Sequence, residues 1–273
     1  WSPTTFERNT KHIFNGVLIW MPKDWNGDVK VHDMSPVALT YEFETYSSYQ
    51  EGLSKSIHAW FWVVDPDVDR LAFVCEDGSI FGEEYTLVAC ADFVLGKTPG
   101  PTVSNLSSTR ALKDISDKHG CNHQSSAVGE VNVVEMMKKN NAVIGGEGNG
   151  GIIYPESHYG RDALVGVALF LSLLAEKQIK VSALRASYPS YFMSKKKIQL
   201  TPTLDVDGIL TTMASNYSHE KLTTIDGVKI DFADSWVHLR KSNTEPIIRI
   251  YTEAPSQVAA DTLADRIIGE IKA

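Results

Sequence analysis

From residue 61 onward the chain alternates short apolar runs with longer amphipathic ones. "FWVV" at 61–64 and "LAFVC" at 71–75 are β-branched and aromatic runs of strand length, parted by the polar turn "DPDVDR". "EEYTLVACADFVLG" follows Gly82 and stops at Gly96, which predicts a helix with a glycine terminator. After "KTPGP" at 97–101, which has the composition of a linker, "TVSNL" predicts a strand. "SSTRALKDISDKHG" predicts a helix opened by serine and closed at Gly120, and "EVNVVEMMKKN" a second one. "NAVIGG" predicts a strand, and 161–177 a long buried helix. Strands alternating with helices imply a parallel sheet.

The character changes after "TPTLD" at 201–205. Asp226-Gly227 between "LTTI" and "VKIDF" predicts a hairpin. "SWVHLR" and "IIRIYTE" predict further strands, and "SQVAADTLADRIIGEIK" an amphipathic closing helix. The expected fold class is therefore α/β, followed by a C-terminal antiparallel α+β domain. The expected divisions are 1–100, 101–203 and 204–273, and residues 1–57 show scattered aromatics without usable periodicity.

Composition narrows the possible partners. With 26 basic and 34 acidic residues the net charge is −8, which leaves no basic surplus for nucleic acid. No apolar run reaches a membrane-spanning length; "ALVGVALFLSLLA" at 163–175 fits a buried helix. The beginning, "WSPTTFERN", lacks both a signal-peptide pattern and an initiator methionine, so the chain is expected to be processed, cloned or incomplete. Cys75, Cys90 and Cys121 are odd in number and widely spaced, which favours reduced structural thiols and a cytoplasmic location.

Three loops offer chemistry. Asp65, Asp67 and Asp69 alternate in a tight turn beside Arg70, and such carboxylates suit one hard divalent cation. An EF-hand is excluded, because Arg70 stands where that loop needs glycine and the flanks are strands. A solvated acidic turn is the bland alternative. "GGEGNGG" at 145–151 contains G-x-G-x-x-G, but Pro155 prevents a helix from opening directly behind it, which argues against a dinucleotide site. Glycines that let a backbone approach, with Glu147 and Asn149 offering acceptors and a donor, suit sugar hydroxyls; a merely structural turn stays open. In "RKSNTEPIIR" at 240–249, Arg240, Ser242, Asn243 and Thr244 crowd one turn with Arg249 shortly after, a composition suited to phosphate. Polar turn residues alone would also produce "SNT". His158 is a candidate acid/base or phosphate contact, or else a capping residue. The lysines of "MSKKKIQL" are expected to form a solvated face.

"DPDVDRL", "GGEGNGG" and "RKSNTEPIIRIY", in this order, resemble the α-D-phosphohexomutase family over about residues 58–273. The resemblance implies that Asp65, Asp67 and Asp69 bind Mg²⁺ near Arg70, and that Glu147 and Asn149 meet sugar hydroxyls. It implies that Arg240, Ser242, Asn243 and Thr244 hold the non-reacting phosphate. The implied reaction is intramolecular phosphotransfer between the 1- and 6-positions of a hexose, with hexose 1,6-bisphosphate as reorienting intermediate and activator. The substrate would be a hexose phosphate, with no nucleic-acid or membrane partner.

Two departures matter. The family's phosphoserine loop, of the type T-A-S-H-N-P, has no counterpart here; "YSSYQEG" does not match it. The chain alone is accordingly expected to be inactive without its own missing N-terminal domain. Ala127 stands where the family often has lysine, and "HAWFWVVD" places Trp60 and Trp62 where the family carries small residues. The rival expectations are a non-catalytic sugar-phosphate-binding protein and a metal-dependent phosphatase.

Overall fold

The structure is a computed structural model and describes residues 17–18, 61–199, 205–242 and 245–272. Strands β2 (Phe61–Val64) and β3 (Leu71–Val74) form an antiparallel hairpin, with β1 (Val17–Leu18) paired to β2. Helix α1 (Glu83–Lys97) follows directly. A four-stranded sheet then runs β5-β4-β6-β7, built from β4 (Thr102–Asn105), β5 (His123–Ser126), β6 (Ile144–Glu147) and β7 (Gly151–Ile153). The first three are parallel, as the alternating pattern implied; β7 turns back antiparallel through the glycine-rich loop.

Helices α2 (Ala111–Lys118), α3 (Glu130–Asn140) and α4 (Ala163–Lys177) cover this sheet, and short α5 (Val181–Ala186) follows α4. Val133 and Met137 of α3 pack with Val103 and Ile153 on one side. On the other, α1 and α4 share their core with the β2–β3 hairpin. Phe73 of β3 stacks on Phe170 of α4 at a centroid distance of 3.7 Å, and Phe81 meets both rings edge-on. Trp62 is buried in the same core, so the bulk noted from sequence is accommodated there. Trp60 lies outside the described residues. Burying rings of this size anchors the hairpin, and hence its aspartate turn, to the α/β layer.

The C-terminal sheet runs β8-β12-β11-β10-β9, wholly antiparallel. Its strands are β8 (Phe192–Gln199), β9 (Lys221–Thr223), β10 (Val228–Asp231), β11 (Trp236–Lys241) and β12 (Ile247–Ala254). Helices α6 (Val206–Asn216) and α7 (Gln257–Lys272) bury one face over Val237, Leu239, Ile248 and Ile250. The lysine run is part of strand β8. Lys195 and Lys197 are solvent-exposed, while Lys196 alternates to the helix side and meets Asp265 at 2.7 Å. The sheet thus begins at Phe192, ahead of the 203/204 boundary drawn from sequence. Likewise α1, placed before residue 101, shares the α/β core. Among the described residues, no helix is long and apolar enough to cross a membrane.

Candidate functional site

The aspartate turn is held by its own backbone. Oδ1 of Asp65 accepts from the N–H groups of Asp69 at 3.1 Å and Arg70 at 3.2 Å. Arg70 places Nε 3.7 Å from Asp65 and 3.8 Å from Asp69, with half of its side chain in solvent. Asp67 is exposed. The expected trio therefore does not converge, and among the described residues no three His, Cys, Asp or Glu side chains form a ready cation site. The reason is local: Asp65 is committed to the turn, and Asp69 points to a cation from another loop.

That cation is Arg161. Its Nη2 lies 2.5 Å from Oδ2 of Asp69 and its Nη1 2.7 Å from Oε2 of Glu147. Glu130, at the start of α3, accepts the Arg161 N–H at 2.9 Å and holds Nε at 3.5 Å. One largely buried guanidinium thus joins three carboxylates from three chain segments. Desolvation, and then the neighbouring carboxyl of Asp65, raise the pKa of Asp69 above the usual aspartate range. Oδ1 of Asp69 is buried without a hydrogen-bond partner among the described residues. An orphaned hard oxygen beside a second carboxylate fits a divalent cation, so the donor set is compatible with magnesium.

The glycine-rich loop lies against this turn. The Leu71 N–H donates to the Gly150 carbonyl at 3.0 Å, and the Ala163 N–H to the Val68 carbonyl at 3.1 Å. Gly150 has φ 85°, and a Cβ there would strike the Leu71 backbone, so only glycine permits the approach. Glu147 is buried at the end of β6. Its Oε1 accepts from Asn105 Nδ2 at 2.8 Å and the Gly129 N–H at 3.2 Å. With Arg161 on Oε2, three of its about four acceptor positions are filled. Asn149 closes the loop by accepting from the Gly151 N–H at 3.2 Å.

Arg240 and Arg249 stand on adjacent strands in direct register. Arg240 Nη1 lies 3.1 Å from Asp226 Oδ2, and the same oxygen accepts from the Val128 N–H at 2.9 Å. Arg249 pairs with Glu245 at 2.8 Å, and its buried Nε has no hydrogen-bond partner among the described residues. Ser242 Oγ accepts from the Glu245 N–H at 3.3 Å. Asn243 and Thr244 lie outside the described residues. His158, a candidate acid/base from sequence, is half-exposed and bonds Asp162 at 2.9 Å. Asp162 is the N-cap of α4, accepting from the Val165 N–H, so His158 bonds the capping carboxylate and caps no helix itself.

Sequence reasoning gave Arg161 no role. It also missed Asn105, the "SSTR" turn and Glu84. Ser108 Oγ accepts from the Gly148 N–H at 2.9 Å, and Glu84 Oε2 accepts from the Thr109 N–H at 2.8 Å. Desolvation pushes the Glu84 pKa up to about 8. Ser107 Oγ meets His238 Nδ1 at 2.8 Å, and His238 Nε2 meets the Asp226 carbonyl at 2.7 Å. Burial lowers the His238 pKa to about 4, which keeps the ring neutral between the two domains.

Two family models match: "Phosphoglucomutase/phosphomannomutase, alpha/beta/alpha domain III" over residues 82–191, and "Phosphoglucomutase/phosphomannomutase, C-terminal domain" over 193–270. The chain belongs to the α-D-phosphohexomutase family. A Thermococcus kodakarensis protein named phosphoglucomutase/phosphomannomutase is 35% identical over 210 residues, covering 76% of this chain and 46% of the relative. A phosphoglucomutase/phosphomannomutase family protein from Burkholderia thailandensis superposes with a TM-score of 0.70 at 26% identity, covering 81% of this chain and 49% of that one. The N-acetylphosphoglucosamine mutase of Aspergillus fumigatus, solved with GlcNAc-6P and magnesium, shares the fold at a TM-score of 0.54 and 16% identity, covering 76% and 47%. The chain thus spans about half the length of the relatives it matches. Within phosphohexomutase architecture, its α/β layer and C-terminal sheet correspond to the third and fourth domains, whose model boundary agrees with a C-terminal sheet starting at Phe192.

Proposed function

We propose that this chain is the sugar-phosphate-binding half of a phosphohexomutase, whose whole protein exchanges phosphate between the 1- and 6-positions of a hexose. One observation carries the reading. A continuous path of polar contacts runs from Arg240 through Asp226 to the Val128 N–H, and from the adjacent Gly129 N–H through Glu147 and Arg161 to Asp69. This chain of contacts links the three loops singled out in the sequence, which supports a ligand with a phosphate pole and a sugar pole.

In this reading Arg240 and Arg249 grip the non-reacting phosphate as paired guanidinium forks, with Ser242, Asn243 and Thr244 adding short donors. Glu147 accepts a sugar hydroxyl at its remaining lone pair, with Asn149 alongside. Because both phosphate esters must occupy the same arginines in turn, the grip has to be indifferent to which end of the sugar it holds. Asp65, Asp67 and Asp69, which do not converge as they stand, would have to draw together to hold Mg²⁺, which supplies charge neutralisation at the transferring phosphate. Arg70 stands beside them as a further positive charge. The relatives' names cover gluco-, manno- and glucosamine phosphates, so the proposal extends to hexose phosphates as a class.

³¹P NMR of glucose 1-phosphate with the chain, Mg²⁺ and glucose 1,6-bisphosphate tests this. The expected result is broadening of both ester resonances. Inorganic phosphate appearing in the spectrum favours a phosphatase, and unperturbed resonances contradict the reading.

A further inference from the structure

Arg161 is placed where two functions meet. Its guanidinium touches Asp69, a candidate metal ligand, through one nitrogen and Glu147, the candidate sugar carboxylate, through another. The sequence makes room for this reach. A Cβ on Gly151 would collide with Cδ of Arg161, so the strand directly beneath the side chain carries none. The backbone of Arg161 is fixed as well, by the Glu130 carboxylate and by an isolated bridge to Ile153. The side chain therefore enters the site in one orientation, with both forks committed.

We propose that Arg161 is a positioning residue that couples the metal loop to the sugar loop, an internal cation whose charge competes at Asp69 with that of a divalent ion. This rests on the sugar-phosphate reading above. A divalent ion on Oδ1 of Asp69 shares that carboxylate with a guanidinium already on Oδ2, so the like charge of Arg161 lowers the intrinsic cation affinity of the loop. Glu147 depends on the same side chain for its orientation, so Arg161 raises the affinity for the sugar. Removing it drives the two affinities in opposite directions. A merely structural arginine would lower both, because loss of its packing loosens both loops together.

The test is titration calorimetry of the full chain with Mn²⁺, standing for Mg²⁺, and separately with glucose 6-phosphate, for wild type, R161Q and R161K. R161Q is expected to bind Mn²⁺ about fivefold more tightly, the scale of a partly exposed ion pair, and glucose 6-phosphate about fivefold more weakly. R161K keeps one charge but cannot bridge two carboxylates, so its Mn²⁺ affinity returns toward wild type while its sugar-phosphate affinity stays low. Thermal melting of each variant establishes that it is folded; if R161Q is not, R161K carries the test through its loss of sugar-phosphate affinity alone. Variants that weaken both ligands, or neither, overturn the role of Arg161 while leaving the sugar-phosphate reading intact. A wild-type chain that binds neither ligand overturns both.

Discussion

Arg240 and Arg249 face each other directly across strands β11 and β12, two like charges in register on one face of the sheet. Such a pair is unfavourable without anions to neutralise it. Asp226 and Glu245 perform this service from opposite sides. A phosphate between the guanidinium groups would do so better, because it can accept from both forks at once.

Inorganic phosphate is accordingly expected to raise the melting temperature of the chain. R249M should reduce that rise while leaving the phosphate-free protein as stable as wild type or more so, since the substitution removes a repulsion. Differential scanning fluorimetry with and without phosphate, at constant ionic strength, separates the two effects.

Gly150→Ala tests how the glycine-rich loop meets the aspartate turn. Both the positive φ and the clash with the Leu71 backbone oppose a side chain there. The expected loss is about 2 kcal/mol or more, seen as a lower urea midpoint.

Glu253 joins the domains from within. Buried in β12, it accepts from the Arg110 N–H at 3.0 Å and from the Trp236 indole at 2.7 Å. Glu253→Ala leaves both donors without an acceptor and should cost about 3 kcal/mol in chemical unfolding. A loss below about 0.5 kcal/mol would mean that water replaces the carboxylate at little cost.

Buried His238 and half-buried Glu84 oppose each other in pH. His238 has a folded pKa of about 4, below its unfolded value, so the folded state prefers the neutral ring. Its contribution is complete above about pH 6.5 and is lost as pH falls toward 4. Glu84 is raised to about 8, so the folded state prefers its protonated form, and stability falls as pH rises from about 4.5 to 8. His238→Gln should flatten the acid side of the stability–pH curve, and Glu84→Gln the alkaline side. Urea midpoints collected across pH 4–9 for both variants decide each assignment.

Much of the scaffold was legible because local pattern and final environment agree. The continuous apolar run of α4 is buried at Val167, Phe170 and Leu173, and the Asp-Gly pair at 226–227 does turn a hairpin. Strand β8 was not legible, because three consecutive lysines interrupt it and its apolar residues, only Phe192, Met193 and Ile198, show no period-two alternation. Strand β7, three residues long, is defined by pairing with β6 through glycines that carry no hydrophobic signal. The site divides in the same way. Asp69, Glu147, Arg240 and Arg249 stood out as loop chemistry. Arg161 did not, because its role arises only when Asp69, Glu130 and Glu147, distant in sequence, fold around it.

The central claim is that the three loops form one site for a phosphorylated sugar, and calorimetric titration of glucose 6-phosphate against glucose tests it most directly. Saturable binding of glucose 6-phosphate, lost in R240M and weakened in E147Q, with no detectable binding of glucose, is the predicted result. Equal binding by wild type and R240M, or none by wild type, would contradict it.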